Sequence, residues 1–326
     1  MIGNIDISHA GLIVAGLALL IWGSDRFVYG ASASARNFGV APLLIGLTIV
    51  AFATSAPEIL VSIIAASQGE PGLAVGNAIG SNIVNIGLVL GVTATIRPIS
   101  LESATLRRQM QALLAMSLLT VLLFLDTRIS RPDGIVMLTS LIIVMIWFVR
   151  LGIRSAANYP LKMNYEAEIP KDVTTKMAFV WLSVGLIALL IGADWLVDGA
   201  MGVAVSLNVS EVVIGITIVA FGTSVPELAI SLVSALKGEY GLAIGSIVGS
   251  NIFNLLAVIG IAAVIQPATI ALSVLSLHIF VMVAFTLVLF VMTYDYDGKA
   301  LLSRMKGIAL LTAYITYSTY VIAQNI

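Results

Sequence analysis

The stretch GLTIVAFATSAPE occupies Gly46 to Glu58, and a near copy, GITIVAFGTSVPE, occupies Gly215 to Glu227. The copies lie 169 residues apart, and the region from Ile45 to Gly91 matches its partner without a gap at 26 of 47 positions. A second matched pair within it reads GLAVGNAIGSNIVN and GLAIGSIVGSNIFN. Identity at this level indicates that the chain contains an internal duplication.

Composition places the duplicated chain in a membrane. Of its 326 residues 60% are hydrophobic and only 10% are charged, with a mean hydropathy of +1.08. A soluble domain carries about 25% charged residues, so this chain lacks the polar surface that water requires. A membrane-crossing helix needs about 20 apolar residues. The sequence predicts ten such spans, at residues 9–35, 41–67, 72–96, 108–126, 133–151, 176–204, 210–236, 241–265, 270–293 and 304–324.

The charged loops predict the orientation of these spans. Loops after the odd-numbered spans hold 13 Lys and Arg residues, whereas loops on the other side hold only Arg128 and Arg131. Positive charge marks the cytoplasmic side, so both termini should be extracytoplasmic. We expect a multi-pass protein of the cell membrane, the inner membrane in a Gram-negative bacterium, whose partner is the lipid bilayer. No basic segment precedes the first span, which argues against a cleaved signal peptide.

The repeat length predicts an inverted architecture. Residues 1–151 and 176–326 each hold five spans, separated by a polar linker at residues 152–175. Because five is odd, the second copy enters the membrane from the opposite side. The fold class is therefore an all-α polytopic membrane protein of two inverted five-helix repeats, with α-repeats at about 45–91 and 214–260. Secondary transporters of this design use discontinuous helices at mid-membrane, and we expect spans 2, 3, 7 and 8 to be broken.

Polar residues inside the duplicated spans mark a candidate site. Glu58 and Glu227 fall near the middle of spans 2 and 7, where an ionisable group costs at least about 2.5 kcal/mol and is a functional candidate by default. Pro57 and Pro226 precede them, and each removes a helix hydrogen-bond donor. Nearby hydroxyl groups come from Thr54, Ser55, Thr223 and Ser224. A pair of buried structural glutamates is the alternative interpretation.

Spans 3 and 8 add neutral oxygen atoms. Ser81 and Asn85 are four residues apart and share one helix face, as do Ser250 and Asn254 in the second copy. Gly76 with Gly80, and Gly245 with Gly249, form GxxxG patterns that allow helices to approach closely. We therefore expect these hydroxyl and amide groups to lie against the glutamate-bearing spans.

The predicted ligands are all hard oxygen atoms. Ca²⁺ takes six to eight of these, whereas Mg²⁺ demands a tighter octahedron. Softer metals prefer thiolates, and the chain has no cysteine. Glu58 and Glu227 together carry a charge of −2, which one Ca²⁺ or several monovalent ions could neutralise, so occupancy by the two would be mutually exclusive. No motif suggests an enzyme, a bound cofactor or a nucleic-acid partner, and no protein partner is predicted.

These motifs resemble those of the Ca²⁺/cation antiporter superfamily, and within it the prokaryotic Na⁺/Ca²⁺ exchangers. The resemblance covers essentially the whole chain and rests on ATSAPE with GSNIVN and on GTSVPE with GSNIFN. It implies a central Ca²⁺ site formed by Thr54, Glu58, Thr223 and Glu227. It also implies flanking Na⁺ or polar positions at Ala51, Ser55, Ser81, Asn85, Ala220, Ser224, Ser250 and Asn254. Spans 1 and 6 would form the family's sliding gate.

One departure from the family bears on the counter-ion. Many members carry Asp at one of the positions held here by Asn85 and Asn254, and that Asp accompanies K⁺ transport. H⁺-coupled members tend to carry Glu in the same motif. Both acidic residues are absent here, so the resemblance favours Na⁺ as the driving ion. For Asp25 and Asp194 in spans 1 and 6 we favour capping or pairing across the repeats over ion relay.

The sequence also allows three other hypotheses. An H⁺-coupled Ca²⁺ or divalent-cation antiporter of the same fold would be driven by a pH gradient. A passive cation channel could use the same two carboxylates, but its flux would not depend on trans Na⁺. A membrane scaffold would need neither glutamate. His9 and His278 are isolated in the sequence and are assigned to packing or the membrane interface.

Overall fold

A computed structural model describes residues 7–101, 104–158, 173–206, 222–269, 275–293 and 300–325. Helices dominate these residues, and the strands among them are four segments of two or three residues. The predicted helical fold class is confirmed. The first half of span 7, with the predicted site residue Ala220, lies outside the described residues, as does most of the linker.

Eleven helices are described and are numbered here in chain order. In the first repeat they are α1 (Ile7–Asn37), α2 (Pro42–Thr54), α3 (Ala56–Ser67), α4 (Pro71–Ile96), α5 (Ala104–Leu123) and α6 (Arg131–Asn158). In the second they are α7 (Thr175–Ser206), α8 (Val225–Leu236), α9 (Tyr240–Ile265), α10 (Phe280–Thr293, after a π-helical turn Leu275–Ile279) and α11 (Arg304–Asn325).

The helices have the length and surface of membrane spans. Five of those described (α1, α4, α6, α7 and α9) are long and apolar enough to cross a bilayer alone, and α2 with α3 forms a sixth, bent span. Large apolar side chains on the outer helices are exposed, including Val14, Ile21, Ile142 and Val291. Exposed apolar area of this extent is not stable in water and indicates contact with lipid.

The chain bends where the sequence predicts a break in span 2. Helix α2 ends at Thr54, Ser55 leaves the helical conformation (φ −82°, ψ 2°), and α3 continues at an angle of 42°. Pro57 lies in the first turn of α3, a position that favours proline because its fixed φ angle suits the start of a helix. Ser224 has the same conformation (φ −95°, ψ 4°) before α8.

The prediction that spans 3 and 8 are broken is wrong, because each is a continuous helix. Each instead contains a π-helical segment, Asn85–Leu90 in α4 and Asn254–Val258 in α9. Neither helix has an internal proline after its first turn, so nothing forces the axis to break. The π-helical segments begin at the two predicted site asparagines, and such segments often occur at functional sites.

Helices α4 and α9 form the centre of the molecule. In the apolar 18-residue stretch of α9, 89% is buried inside the protein, and in that of α4 72% is buried. The corresponding share is only 22–33% in α1, α6 and α7. The predicted close approach is present for α9, where a Cβ atom on Gly245 or Gly249 would lie 2.6 Å from the carbonyl oxygen of Leu43 or Leu47. The equivalent partners of Gly76 and Gly80 are residues 212–216, which lie outside the described residues.

Helices α1 and α7 pack as an antiparallel pair through glycines spaced seven residues apart. Gly16, Gly23 and Gly30 lie on α1, and Gly185, Gly192 and Gly199 lie on α7. Gly16 faces Gly192, Gly23 faces Gly185, and Gly199 faces His9. Small residues at this spacing keep one seam of each helix against the other and let the backbones touch.

Two short antiparallel sheets tie the loops together. Strand β1 (Ile99–Leu101) pairs with β4 (Ala300–Leu302), and β2 (Arg128–Ile129) pairs with β3 (Ala268–Thr269). The first pairing joins the loops after spans 3 and 9, and the second joins those after spans 4 and 8. In each case the predicted span count puts both loops on the same side of the membrane.

Candidate cation-binding site

Both glutamates occupy the first turn of a helix that follows a break. Glu58 lies in the first turn of α3 and Glu227 in the first turn of α8, and each is 1% exposed. The N-terminus of a helix carries partial positive charge, which favours a carboxylate there. The two carboxyl groups are close enough to interact electrostatically. The two copies therefore bring their equivalent acidic groups to one buried place.

The proline after each break frees a backbone carbonyl. Pro57 has no N–H group, so the carbonyl of Ala53 lacks its helical donor, and Pro226 does the same for Gly222. The predicted ligand Ala51 differs, because its carbonyl oxygen accepts a bond from the Ser55 N–H group at 3.0 Å. The carbonyl of Ala53 is therefore freer to face a cation than the carbonyl of Ala51.

Helices α4 and α9 close the site from the centre. The Thr54 and Ser250 hydroxyl oxygens are 3.1 Å apart, and Thr54 also lies beside the Glu227 carboxyl. The Asn85 amide donates to the Asn251 side-chain oxygen at 3.0 Å. Each contact joins the first repeat to the second, so the site is assembled at their interface.

Many of the predicted site atoms are buried without a partner in the described part of the chain. These atoms are Glu58 Oε2, Glu227 Oε2, Ser55 Oγ, Ser224 Oγ, Thr223 Oγ1, Asn85 Oδ1 and Asn254 Oδ1. All seven are oxygen atoms. An unsatisfied buried polar group costs roughly 1–3 kcal/mol, and a concentration of them requires an explanation. A bound hard cation would satisfy such a set of oxygen atoms.

The acidic content of the site is limited to two carboxylates. Among the described residues no group of three or more His, Cys, Asp and Glu side chains could hold a metal together. Neutral oxygens must therefore complete any coordination shell. The histidines lie elsewhere: His9 packs against Gly199 and Gly202, and His278 hydrogen-bonds to Tyr317 with 2.6 Å between Nδ1 and the hydroxyl oxygen.

Asp25 and Asp194 have different surroundings despite their equivalent positions. Asp25 forms an ion pair with Lys237 of the second repeat at 2.7 Å, which agrees with the favoured pairing across the repeats. Asp194 is exposed. The position equivalent to Lys237 in the first repeat is Gln68, which cannot form such an ion pair.

Comparison with known proteins identifies the family. The sodium/calcium exchanger protein family matches residues 8–150 and 177–323, which is most of both repeats. The chain belongs to the sodium/calcium exchanger family. This result confirms the family that the repeated motifs predict.

Relatives within and near the family cover nearly the full chain. The putative antiporter CaxA of Alkalimonas amylolytica is 45% identical, covering 94% of this chain and 96% of its own. The sodium/calcium exchanger MaX1 of Methanosarcina acetivorans is 29% identical, covering 94% and 96%. A solved structure of the sodium-calcium exchanger NCX_Mj, soaked with Na⁺ and Sr²⁺, matches with a TM-score of 0.81 at 36% identity, over 97% of this chain and 98% of that one. The protein is a multi-pass membrane antiporter of this family and not an enzyme.

Sequence reasoning missed several polar residues near the site. Asn251 binds Asn85, and Ser231 accepts a bond from the Thr93 hydroxyl at 3.3 Å. Ser62 is fully buried, and its hydroxyl has no partner in the described ranges of the chain. Ser62 and Ser231 are equivalent residues, each four positions after a central glutamate. A search for polar residues at equivalent positions of the two copies would have identified Ser62 and Ser231.

We expect Asn251→Ala to lower stability. It leaves the buried Asn85 amide without its acceptor, which costs about 1–3 kcal/mol. Thermal unfolding of the purified protein in detergent without added Ca²⁺ should show a lower midpoint. Thr316→Val is the control, because it removes an exposed bond to the carbonyl of Thr312 within one helix. Equal midpoints for the two variants would contradict the structural role of the asparagine pair.

Proposed function

We propose that the protein exchanges Ca²⁺ for Na⁺ by alternating access, with the cation sites at the midplane interface of the two repeats. The observation that carries the proposal is the pair of buried carboxylates, Glu58 and Glu227, surrounded by unpartnered oxygen atoms from both repeats. The names of MaX1 and of the NCX_Mj structure, a sodium/calcium exchanger in both cases, support it.

Charge balance explains how one site can serve exchange. An empty site with two negatively charged carboxylates is high in free energy, because the surrounding medium has a low dielectric constant. One Ca²⁺ neutralises both, and Na⁺ ions can do so at the carboxylates and at the flanking hydroxyl and amide oxygens. The two loads compete for the same charge, so the arrival of one favours release of the other.

The proposed site keeps the residues predicted from the sequence. Thr54, Glu58, Thr223 and Glu227 would bind Ca²⁺. Flanking oxygens for Na⁺ would come from Ser55, Ser81, Asn85, Ser224, Ser250 and Asn254, and from backbone carbonyls including that of Ala51 or Ala53. Asn at both 85 and 254 keeps the site at two negative charges, which matches one Ca²⁺.

We infer that residues 1–151 and 176–326 form inverted five-span repeats joined by a cytoplasmic linker at 152–175. Two observations support this inference. Each of the two sheets joins a pair of loops that the predicted span count assigns to the same side of the membrane. The breaks before α3 and α8 and the π-helical segments in α4 and α9 occur at equivalent positions. The packed pair α1 and α7 would slide past the remaining helices to alternate access.

Inversion predicts opposite accessibility for equivalent residues. Gln68 and Lys237 are exposed and 169 residues apart, so Gln68→Cys should react with a membrane-impermeant thiol reagent outside the cell and Lys237→Cys only after permeabilisation. The chain has no native cysteine, so the labelling is unambiguous. Labelling of both residues from the same side would contradict the inverted topology.

Ca²⁺ uptake into proteoliposomes tests the proposed function. Vesicles loaded with Na⁺ and diluted into Na⁺-free buffer should accumulate Ca²⁺, whereas vesicles with equal Na⁺ on both sides should not. A pH gradient without Na⁺ should drive no uptake. Uptake driven by the pH gradient alone would replace Na⁺ with H⁺ as the coupled ion, and rapid Ca²⁺ entry independent of trans Na⁺ would indicate a channel.

A further inference from the structure

A line of buried polar side chains runs along α8 from the central site towards its C-terminal end. Glu227, Ser231 and Ser234 are spaced four and three residues apart, so they share one helix face. Each is at most 1% exposed. From Glu227 to Ser234 the helix rises about 10 Å. The Thr93 hydroxyl of α4 donates to Ser231 in the middle of this line.

The hydroxyl of Ser234 is not accounted for by helix structure. Buried serines in membrane helices commonly bond to the carbonyl four residues earlier, as Ser34 and Ser117 do here. Ser234 makes no such bond, and its Oγ atom has no partner in the described part of the chain. An unsatisfied hydroxyl at this depth requires a ligand from elsewhere.

The line ends at Glu239, the residue immediately before α9. Its backbone N–H group donates to the carbonyl of Ser234 at 2.8 Å, which places the two residues together. Glu239 is 4% exposed, and its Oε1 atom has no hydrogen-bond partner among the residues that the structure describes. Ser32 of α1 lies beside this carboxyl.

The nearby lysine does not neutralise Glu239 by direct contact. The Lys237 ammonium group is bound to Asp25 at 2.7 Å, and no salt bridge to Glu239 occurs among the described residues. Burial raises the pKa of the Glu239 carboxyl, and the nearby Ser32 and Lys237 oppose this change. The carboxyl is therefore a buried acid with oxygen neighbours and spare coordinating capacity.

The equivalent half of the first repeat is built differently. Ser234 corresponds to Ala65, Thr93 to Ala262, and Glu239 to the exposed Glu70. Ala65 and Ala262 pack with Ala66 and Ala74 into an apolar cluster closed by Ile265. A polar line thus leads from the centre to one membrane face, and an alanine cluster blocks the same position on the other.

We propose that Ser32, Ser234 and Glu239 form a cation access subsite at the cytoplasmic mouth, connected through Ser231 to Glu227. The proposal rests on the proposed function and on the orientation that the loop charges indicate. The subsite offers fewer oxygens than the six to eight that Ca²⁺ takes, so the ion would keep part of its water there. It would raise the local cation concentration at this face and pass ions to the central site.

Uptake into membrane vesicles of defined orientation tests this proposal. Inside-out vesicles present the cytoplasmic face to added Ca²⁺, and right-side-out vesicles present the opposite face. With Na⁺ inside, Glu239→Gln should raise the half-saturating Ca²⁺ concentration about fivefold in inside-out vesicles only, the scale of one partly screened charge. Ser234→Ala, which copies Ala65 of the other repeat, should act in the same direction with a smaller shift.

Glu70→Gln is the matched control, because it removes the equivalent but exposed carboxylate and should leave both half-saturating concentrations unchanged. Unchanged values for Glu239→Gln and Ser234→Ala, or equal shifts at the two faces, would overturn the access subsite. These outcomes presuppose Na⁺-driven uptake by the unaltered protein. Its absence in both kinds of vesicle would instead mean that the proposed function fails.

Discussion

Replacing either central glutamate by glutamine should reduce Na⁺-driven Ca²⁺ uptake by at least about 100-fold. Glu58→Gln and Glu227→Gln each keep the shape of the side chain but leave the site with a single negative charge. Ca²⁺ then carries an unneutralised positive charge in a buried site of low dielectric, where such an imbalance costs several kcal/mol. The two variants should be equally impaired, since the residues are equivalent in the repeat.

Stability separates this role from a structural one. Removing one of two neighbouring buried carboxylates relieves electrostatic repulsion, so in the absence of cations the two variants should unfold at or above the temperature of the unaltered protein. Glu70→Gln, at an exposed position, should retain full uptake. Normal uptake by both glutamine variants would contradict the site, and low unfolding temperatures for both would favour two structural glutamates.

Leucine at Gly30 should separate α1 from α7 and abolish transport. A Cβ atom at this position would lie 2.5 Å from the Leu182 backbone nitrogen and 2.6 Å from the carbonyl oxygen of Ala178. Both contacts are with backbone, which cannot rotate away. Filling a packed interface typically costs about 1–3 kcal/mol, and a clash with backbone atoms of the facing helix should exceed this.

The same helix provides the control for this substitution. Gly11 is exposed, and a Cβ atom there would meet nothing within 4 Å in the described part of the chain. Gly11→Leu should therefore keep its monodisperse elution in detergent and its Ca²⁺ uptake, whereas Gly30→Leu should lose both. Full activity of Gly30→Leu would mean that the tight seam between α1 and α7 is not needed for the transport cycle.

The duplicated segments made much of the site predictable. Two copies of one motif, read together, identify Glu58 and Glu227, the proline breaks and the hydroxyl residues before them. Burial and mutual contact could not be read from either copy alone. Thr54 meets Ser250 and Asn85 meets Asn251 only because the repeats interdigitate, and residue spacing within one copy does not reveal such contacts.

The errors have local physical reasons. Spans 3 and 8 were predicted to be broken because secondary transporters built from inverted repeats use discontinuous helices at mid-membrane. In the structure each of these spans is continuous and contains one π-helical segment instead of a break. The seven-residue spacing of Gly16, Gly23 and Gly30 was visible in the sequence. The glycines that they face lie far along the chain, on a helix that runs in the opposite direction. The pairing of the two helices could be recognised only in three dimensions.

The differences between the copies were harder to predict than their similarities. Ser234 and Glu239 lie outside the matched motifs, as do their counterparts Ala65 and Glu70. The burial of Glu239 and the Ser234 hydroxyl, which has no partner in the described part of the chain, help to distinguish this half. In a pseudo-symmetric transporter, such departures from symmetry are where the two faces can acquire different properties.

Equilibrium Ca²⁺ binding to the purified protein at increasing Na⁺ concentration tests most directly whether the two ions share one carboxylate pair. The apparent dissociation constant for Ca²⁺ should rise with Na⁺ more steeply than in direct proportion, because more than one Na⁺ is needed to replace a divalent charge. Specific Ca²⁺ binding should disappear when Glu58 and Glu227 are both replaced by glutamine. Ca²⁺ binding that is indifferent to Na⁺, or that persists in the doubly substituted protein, would contradict the shared site.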